Sequence, residues 1–226
     1  KKAARRANRT EGESLDAEGF RPEDFAMIAL ALVVLSAAPD AGVVLSVVPD
    51  AGVEKAAPIR VTFSGDVTLG YHVEEWADEL VKKGTPKDQA LTWGFERVKS
   101  LTRASDLFVA NLECPFTDKG SKLQKNFNFR ARPELVAGLE AGGVDVVSLA
   151  NNHLMDYGAE GLFDTLTVLD TAKISRFGAG RSLADARTPA IVDVKGVKVA
   201  FLGYFFLGDR NIEPKEVIAT ESTPGV

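Results

Sequence analysis

Residues 143–158, Gly-Val-Asp-Val-Val-Ser-Leu-Ala-Asn-Asn-His-Leu-Met-Asp-Tyr-Gly, constrain this chain more than any other stretch. The first half is short, apolar and β-branched, the pattern of a strand buried on both faces of a parallel sheet. The second half crowds amide, imidazole and carboxylate groups together. Open α/β sheets bind their ligands beyond the carboxyl ends of the strands, so Asn151, Asn152, His153 and Asp156 fall where such a site forms. Gly158 can then open the helix that returns over the sheet.

The same alternation extends to either side. Residues 59–64 alternate apolar and polar side chains and run into Gly65-Asp66, the form of a first strand ending in a carboxylate. Residues 76–82 predict a helix, and residues 92–102 another with Phe95, Val98 and Leu101 on one face. Residues 107–110 predict a second strand that delivers Asn111 and Glu113 at its end. A polar loop over 114–130 precedes a helix opened by Pro133 and closed by Gly142-Gly143. Residues 162–169 read as helical, 177–180 as the start of a turn, and 190–194 with 197–204 as a hairpin across Lys195-Gly196. Strands alternating with helices and ending in a hairpin give an α/β fold with a mixed sheet flanked by helices.

This domain is expected over residues 58–226. Residues 1–24 are rich in charge and poor in apolar side chains, the composition of a disordered tail. Residues 25–57 form an apolar segment and a linker. The uncharged run at 25–38 is shorter than the roughly 20 residues of a membrane span but suits the core of a signal peptide. Membrane contact is expected through it, with a helix packed on the domain as the alternative. Residues 33–52 repeat one pattern twice, each copy ending in Pro-Asp-Ala-Gly, which breaks any continuous helix. The net charge of -5, without a basic stripe beyond the amino-terminal cluster, argues against a nucleic-acid partner. Cys114 is the sole cysteine, so neither an internal disulfide nor a cysteine-based zinc site can form.

Three separated motifs carry a resemblance. Ala150-Asn151-Asn152-His153, with Asp156 and Gly158 in step behind it, follows Gly65-Asp66 and Asn111-Leu112-Glu113 in the chain. Together they resemble the signature of the CapA family of poly-γ-glutamate capsule biosynthesis proteins, whose fold belongs with the calcineurin-like metallophosphoesterases. The resemblance runs from about Ile59 to about Tyr204. It implies a metallophosphoesterase-like sheet, here an incomplete half of a two-sheet sandwich, and a metal-dependent hydrolase of the cell envelope that cleaves a phosphoester or an amide bond. Two divalent metal ions are implied in full-length relatives, with Mn, Zn and Fe not distinguished. Asp66 would bind the first, Glu113 would bridge both, and Asn152 would bind the second through its side-chain oxygen. His153 would stand beside the leaving group as general acid or charge stabiliser, with Asp156 orienting it. Arg130 is the candidate for gripping an anionic polymer or phosphoester substrate, and Asn111 and Asn151 would join it. A capsule synthesis complex is the implied partner. An exported or anchored location is implied, or a cytoplasmic one if residues 25–38 are a packed helix.

Each of these residues has a plainer role open to it. Asp66 could cap a helix, Glu113 could be a solvated loop acid, and Asn151 and Asn152 could serve only the turn. Arg130 could be an ordinary surface arginine, and Cys114 a small packed side chain. His72 follows Asp66 closely, but the family does not demand histidine there, and a surface role is expected. The chain also departs from the family pattern. Relatives continue into a second half with a His-Trp-Gly type strand end and a Gly-His-x-His type motif, whereas no histidine follows His153 here. An amino-terminal half of a longer protein, or a truncated relative that binds metal weakly or not at all, is therefore expected. The rival to a hydrolase is a non-catalytic binding or assembly subunit for capsule polymer synthesis or export.

Overall fold

β-Branched and aromatic residues open the domain as β1 (Val61–Val67), followed by α1 (His72–Lys82), α2 (Lys87–Thr92), a 3-10 turn at Trp93–Phe95, α3 (Lys99–Thr102) and β2 (Leu107–Leu112). After a long loop come a second 3-10 turn at Pro133–Leu135, α4 (Val136–Gly142), β3 (Val146–Ser148), α5 (Gly158–Thr171), β4 (Ser175–Phe177) and α6 (Leu183–Ala186). The hairpin of β5 (Ala190–Val194) and β6 (Val197–Phe201) follows. This computed structural model describes residues 58–206 and 214–226, so the expectations for the tail, the apolar run and the repeat lie outside the described residues.

The strands β1 to β4 form one parallel sheet in chain order, and β5 and β6 pair antiparallel as a separate sheet. Both strand directions expected of the fold are thus present, divided between two sheets, and the α/β architecture agrees with a metallophosphoesterase-like fold. Side chains alternate across a strand, and the two faces of the parallel sheet are covered by different partners. Phe108, Ala110, Leu112 and Val147 join Leu135, Leu139, Leu162, Leu166 and Leu169 from the helical side in the main core. Leu107, Val109 and Val146 face the other way and meet Ala190, Val192, Val194 and Phe201 of the hairpin, which begins a second layer. Each fully buried leucine contributes about 1.5–3 kcal/mol through burial.

Local signals set most boundaries. Gly143 ends α4 in the left-handed conformation (φ 72), and Lys195-Gly196 (φ 56 and 81) turn the hairpin in two residues. Residues 92–102 differ from expectation, because they form a helix end, a 3-10 turn and a short helix rather than one continuous helix. Phe95 is buried, whereas Val98 and Leu101 remain exposed. Phe95 is buried through a close approach: its ring fills the space where a Cβ on Gly142 would sit, the nearest ring carbon 2.3 Å from that position. β4 and α6 also go beyond the sequence pattern, since segments this short carry no periodicity to read. Among the described residues no helix is long and apolar enough to cross a membrane.

The register places the site. Asp66 pairs with Asn111, Asn111 with Ser148, and Ser148 with Phe177, so one row crosses the carboxyl rim of the sheet. An irregularity in β1 between Phe63 and Asp66 re-aims the strand just before that row.

Candidate metal and acid–base site

Two carboxylates arrive at this rim from neighbouring strands, Asp66 from within β1 and Glu113 just past β2. The Asn111 amide spans them, its Nδ2 donating to Asp66 Oδ1 at 2.8 Å and to Glu113 Oε2. Asp66 is exposed within a strand, so it caps no helix. Glu113 is half-buried rather than a solvated loop acid. Burial first, and the Asp66 carboxylate second, push its carboxyl above the usual range, against partial relief from His153 and Asn111. The pair therefore carries surplus negative charge joined only by a neutral amide.

Asn151 ties this row to the turn behind β3. Its Nδ2 donates to Asn111 Oδ1 (3.1 Å) and to the Leu112 carbonyl (2.9 Å), while its Oδ1 accepts from the backbone amides of His153 and Leu154, both at 3.0 Å. Asn111 and Asn151 were both expected to contact substrate. Asn151 is buried with both ends of its amide committed inside the protein, so it shapes the turn, and Asn111 acts as the bridge between the two acids.

The turn then presents His153 and Asp156. His153 Nδ1 lies 2.8 Å from Asp156 Oδ2, which also accepts the Phe129 amide. Asp156 is fully buried and Lys125 stands 2.7 Å from its Oδ1 as an ion pair, the ammonium also donating to the Asn152 carbonyl at 2.7 Å. The Phe129 ring stacks on the imidazole with centroids 4.0 Å apart. Asn152 is half-buried between Asn151 and His153. Arg130 is exposed, its guanidinium over the Tyr157 ring at 4.6 Å, within the loop that passes the site. That loop can approach because residue 70 is glycine: a Cβ there would lie 1.9 Å from the Arg130 carbonyl oxygen. His72 is on the surface, paired with Glu75. Cys114 is buried, which pushes its thiol up to about 12 and removes it from chemistry.

Lys125, Phe129 and Tyr71 were not singled out from the sequence. A lysine among Gln124 and Asn126 in a polar loop has the same pattern as a solvated one, and the stacking of Phe129 depends on a turn far along the chain.

The family model described as Bacterial capsule synthesis protein PGA_cap matches residues 60–224. The chain belongs to this PGA_cap family. Among its relatives is Capsule biosynthesis protein CapA of Bacillus anthracis, 32% identical over 187 residues that make up 76% of this chain and 41% of that protein. PGA biosynthesis protein CapA of Bacillus subtilis (strain 168) is 32% identical over 171 residues, 74% of this chain and 41% of that protein. The chain thus spans 41% of the length of these curated relatives.

Whether this PGA_cap chain suits a divalent metal is a question of donor chemistry. Asp66 and Glu113 are hard oxygen donors whose mutual repulsion a cation would relieve, while the Asn111 amide turns its nitrogen, not its oxygen, toward both. These two carboxylates are a partial donor set for a hard cation. They do not by themselves complete a site for one ion or for two, because among the described residues no three His, Cys, Asp or Glu side chains converge to hold a metal.

Proposed function

We propose that this chain carries the strand-end half of a metal-dependent hydrolytic site in a capsule biosynthesis protein, acting on an anionic polymer or phosphoester of the cell envelope. The observation that carries the reading is the row Asp66–Asn111–Glu113 at one rim of the sheet, with His153 and Asp156 on the adjoining turn. Asp66 and Glu113 would hold a hard divalent cation, with Asn152 expected to contribute its side-chain oxygen. Such a cation supplies Lewis-acid polarisation of a phosphoryl or carbonyl oxygen.

The chain's own residues account for the remaining roles. Asp156 holds His153 at Nδ1, which leaves Nε2 as the nitrogen that takes up a proton and, once protonated, can pass it to a leaving group. Phe129 covers one face of the imidazole and keeps water from it. Arg130, exposed on the neighbouring loop, offers a planar guanidinium to phosphate or carboxylate. The names of the relatives support a polyglutamate capsule as the setting, and a capsule synthesis complex as the partner.

The test is hydrolysis by the full-length parent protein supplied with Mn²⁺ or Zn²⁺, using a phosphodiester and poly-γ-glutamate as substrates. Asp66→Ala, Glu113→Ala and Asn152→Ala are each expected to lower the rate by more than about 100-fold, beyond what loss of an outer-shell partner costs. Unchanged rates in all three would discard the assignment. Polymer binding without turnover by the wild type would favour the assembly subunit instead.

A further inference from the structure

Lys125 sits in a polar loop yet its side chain is only 5% exposed, at the centre of contacts that no motif assigns. An ammonium group taken out of water costs several kcal/mol unless its charge is met. Here Asp156 Oδ1 and the Asn152 carbonyl meet it, each 2.7 Å away. The other carboxylate oxygen takes the Phe129 amide and His153 Nδ1, so the two oxygens of Asp156 have different partners, Oδ1 through an ion pair and Oδ2 through hydrogen bonds. The loop is braced from outside as well. Tyr71, held at a strained φ of 51, sets its ring edge-on to Phe129 at 5.6 Å and donates its hydroxyl to the Asn128 carbonyl at 2.7 Å.

We propose that Lys125 is a positioning residue for His153. By anchoring Oδ1 it prevents the Asp156 carboxylate from rotating and exchanging its oxygens, and so fixes the imidazole with its proton on Nδ1. Without Lys125, the carboxylate keeps only the Phe129 amide as an anchor, and the ring loses its single orientation. The functional consequence rests on the role proposed above for His153, but the geometry does not.

The experiment reads the ring directly. Nitrogen-15 NMR of histidine-labelled, chelator-treated chain at neutral pH should give His153 a single Nδ1–H tautomer, with exposed His72 as an internal reference. In Lys125→Met the His153 signals should shift toward the Nε2–H form that free imidazole side chains favour, while His72 stays put. A folded Lys125→Met chain, judged by its amide spectrum, with unmoved His153 signals would overturn the proposal. If that variant fails to fold, the wild-type Lys125 ammonium decides. Its proton exchange should be at least about 10-fold slower than that of exposed Lys122, as expected for an ammonium held out of water, and exchange as fast as Lys122 would overturn the proposal. Turnover enters neither readout, so loss of the hydrolase reading would leave this result intact, and the reverse also holds.

Discussion

Two acidic regions sit side by side at the rim of the sheet and are built on opposite principles. Around Asp156, a fully buried carboxylate is met by an ammonium, a backbone amide and an imidazole. Around Asp66 and Glu113, two carboxylates face each other across one neutral amide, and the half-buried Glu113 is pushed toward protonation. The two regions therefore differ in the partners that burial leaves their acids. The first region is a balanced device for holding a side chain still, whereas the second has the surplus charge that suits a cation.

The sharpest break in this contrast comes from removing one negative charge from each region. Asp156→Asn leaves Lys125 buried without its counter-charge and should cost about 3–5 kcal/mol in urea unfolding of the chelator-treated protein. Asp66→Asn, which relieves repulsion, should leave stability unchanged or raise it. Equal effects from the two would dissolve the distinction.

A smaller effect is expected from Gly70→Ala, because the new methyl group meets the Arg130 carbonyl and forces the loop outward. A loss of about 1–3 kcal/mol, the usual range for overpacking, should appear in the same assay. No loss would mean that the loop closes over the site less tightly than the structure has it.

The smallest effect concerns Glu113 and pH. Its folded carboxyl titrates above the ordinary value of 4.5, so its contribution to stability is full below that value and is lost as pH rises through the raised one. Without metal, Glu113→Gln should match the wild type at the acid end of this window and become progressively more stable than it toward neutrality. A difference that stays constant with pH would remove the electrostatic explanation.

Much of the fold was legible because its signals are local. The β-branched run of β3, the left-handed Gly143 and the Lys195-Gly196 turn each depend on neighbours in sequence, and each forms as expected. That Asp66, Glu113, His153 and Asp156 share one rim was legible too, since strand ends gather polar residues that a core excludes. What escaped was set by distant contacts. The burial of Lys125 depends on Asp156, and that of Phe95 on Gly142. Asn151 was legible as a site residue but not as one whose amide is consumed in holding the turn, because a turn-builder and a ligand-binder present the same side chain in sequence.

The most direct measurement is a Mn²⁺ titration of the chain followed by electron paramagnetic resonance, comparing the wild type with the double variant Asp66→Asn/Glu113→Gln. The wild type should take up about one ion per chain through its hard oxygen donors. The double variant should bind at least about 100-fold more weakly, since it lacks both charged ligands rather than an outer-shell partner. Equal binding by the two chains, or no binding by the wild type, would contradict a cation site at Asp66 and Glu113.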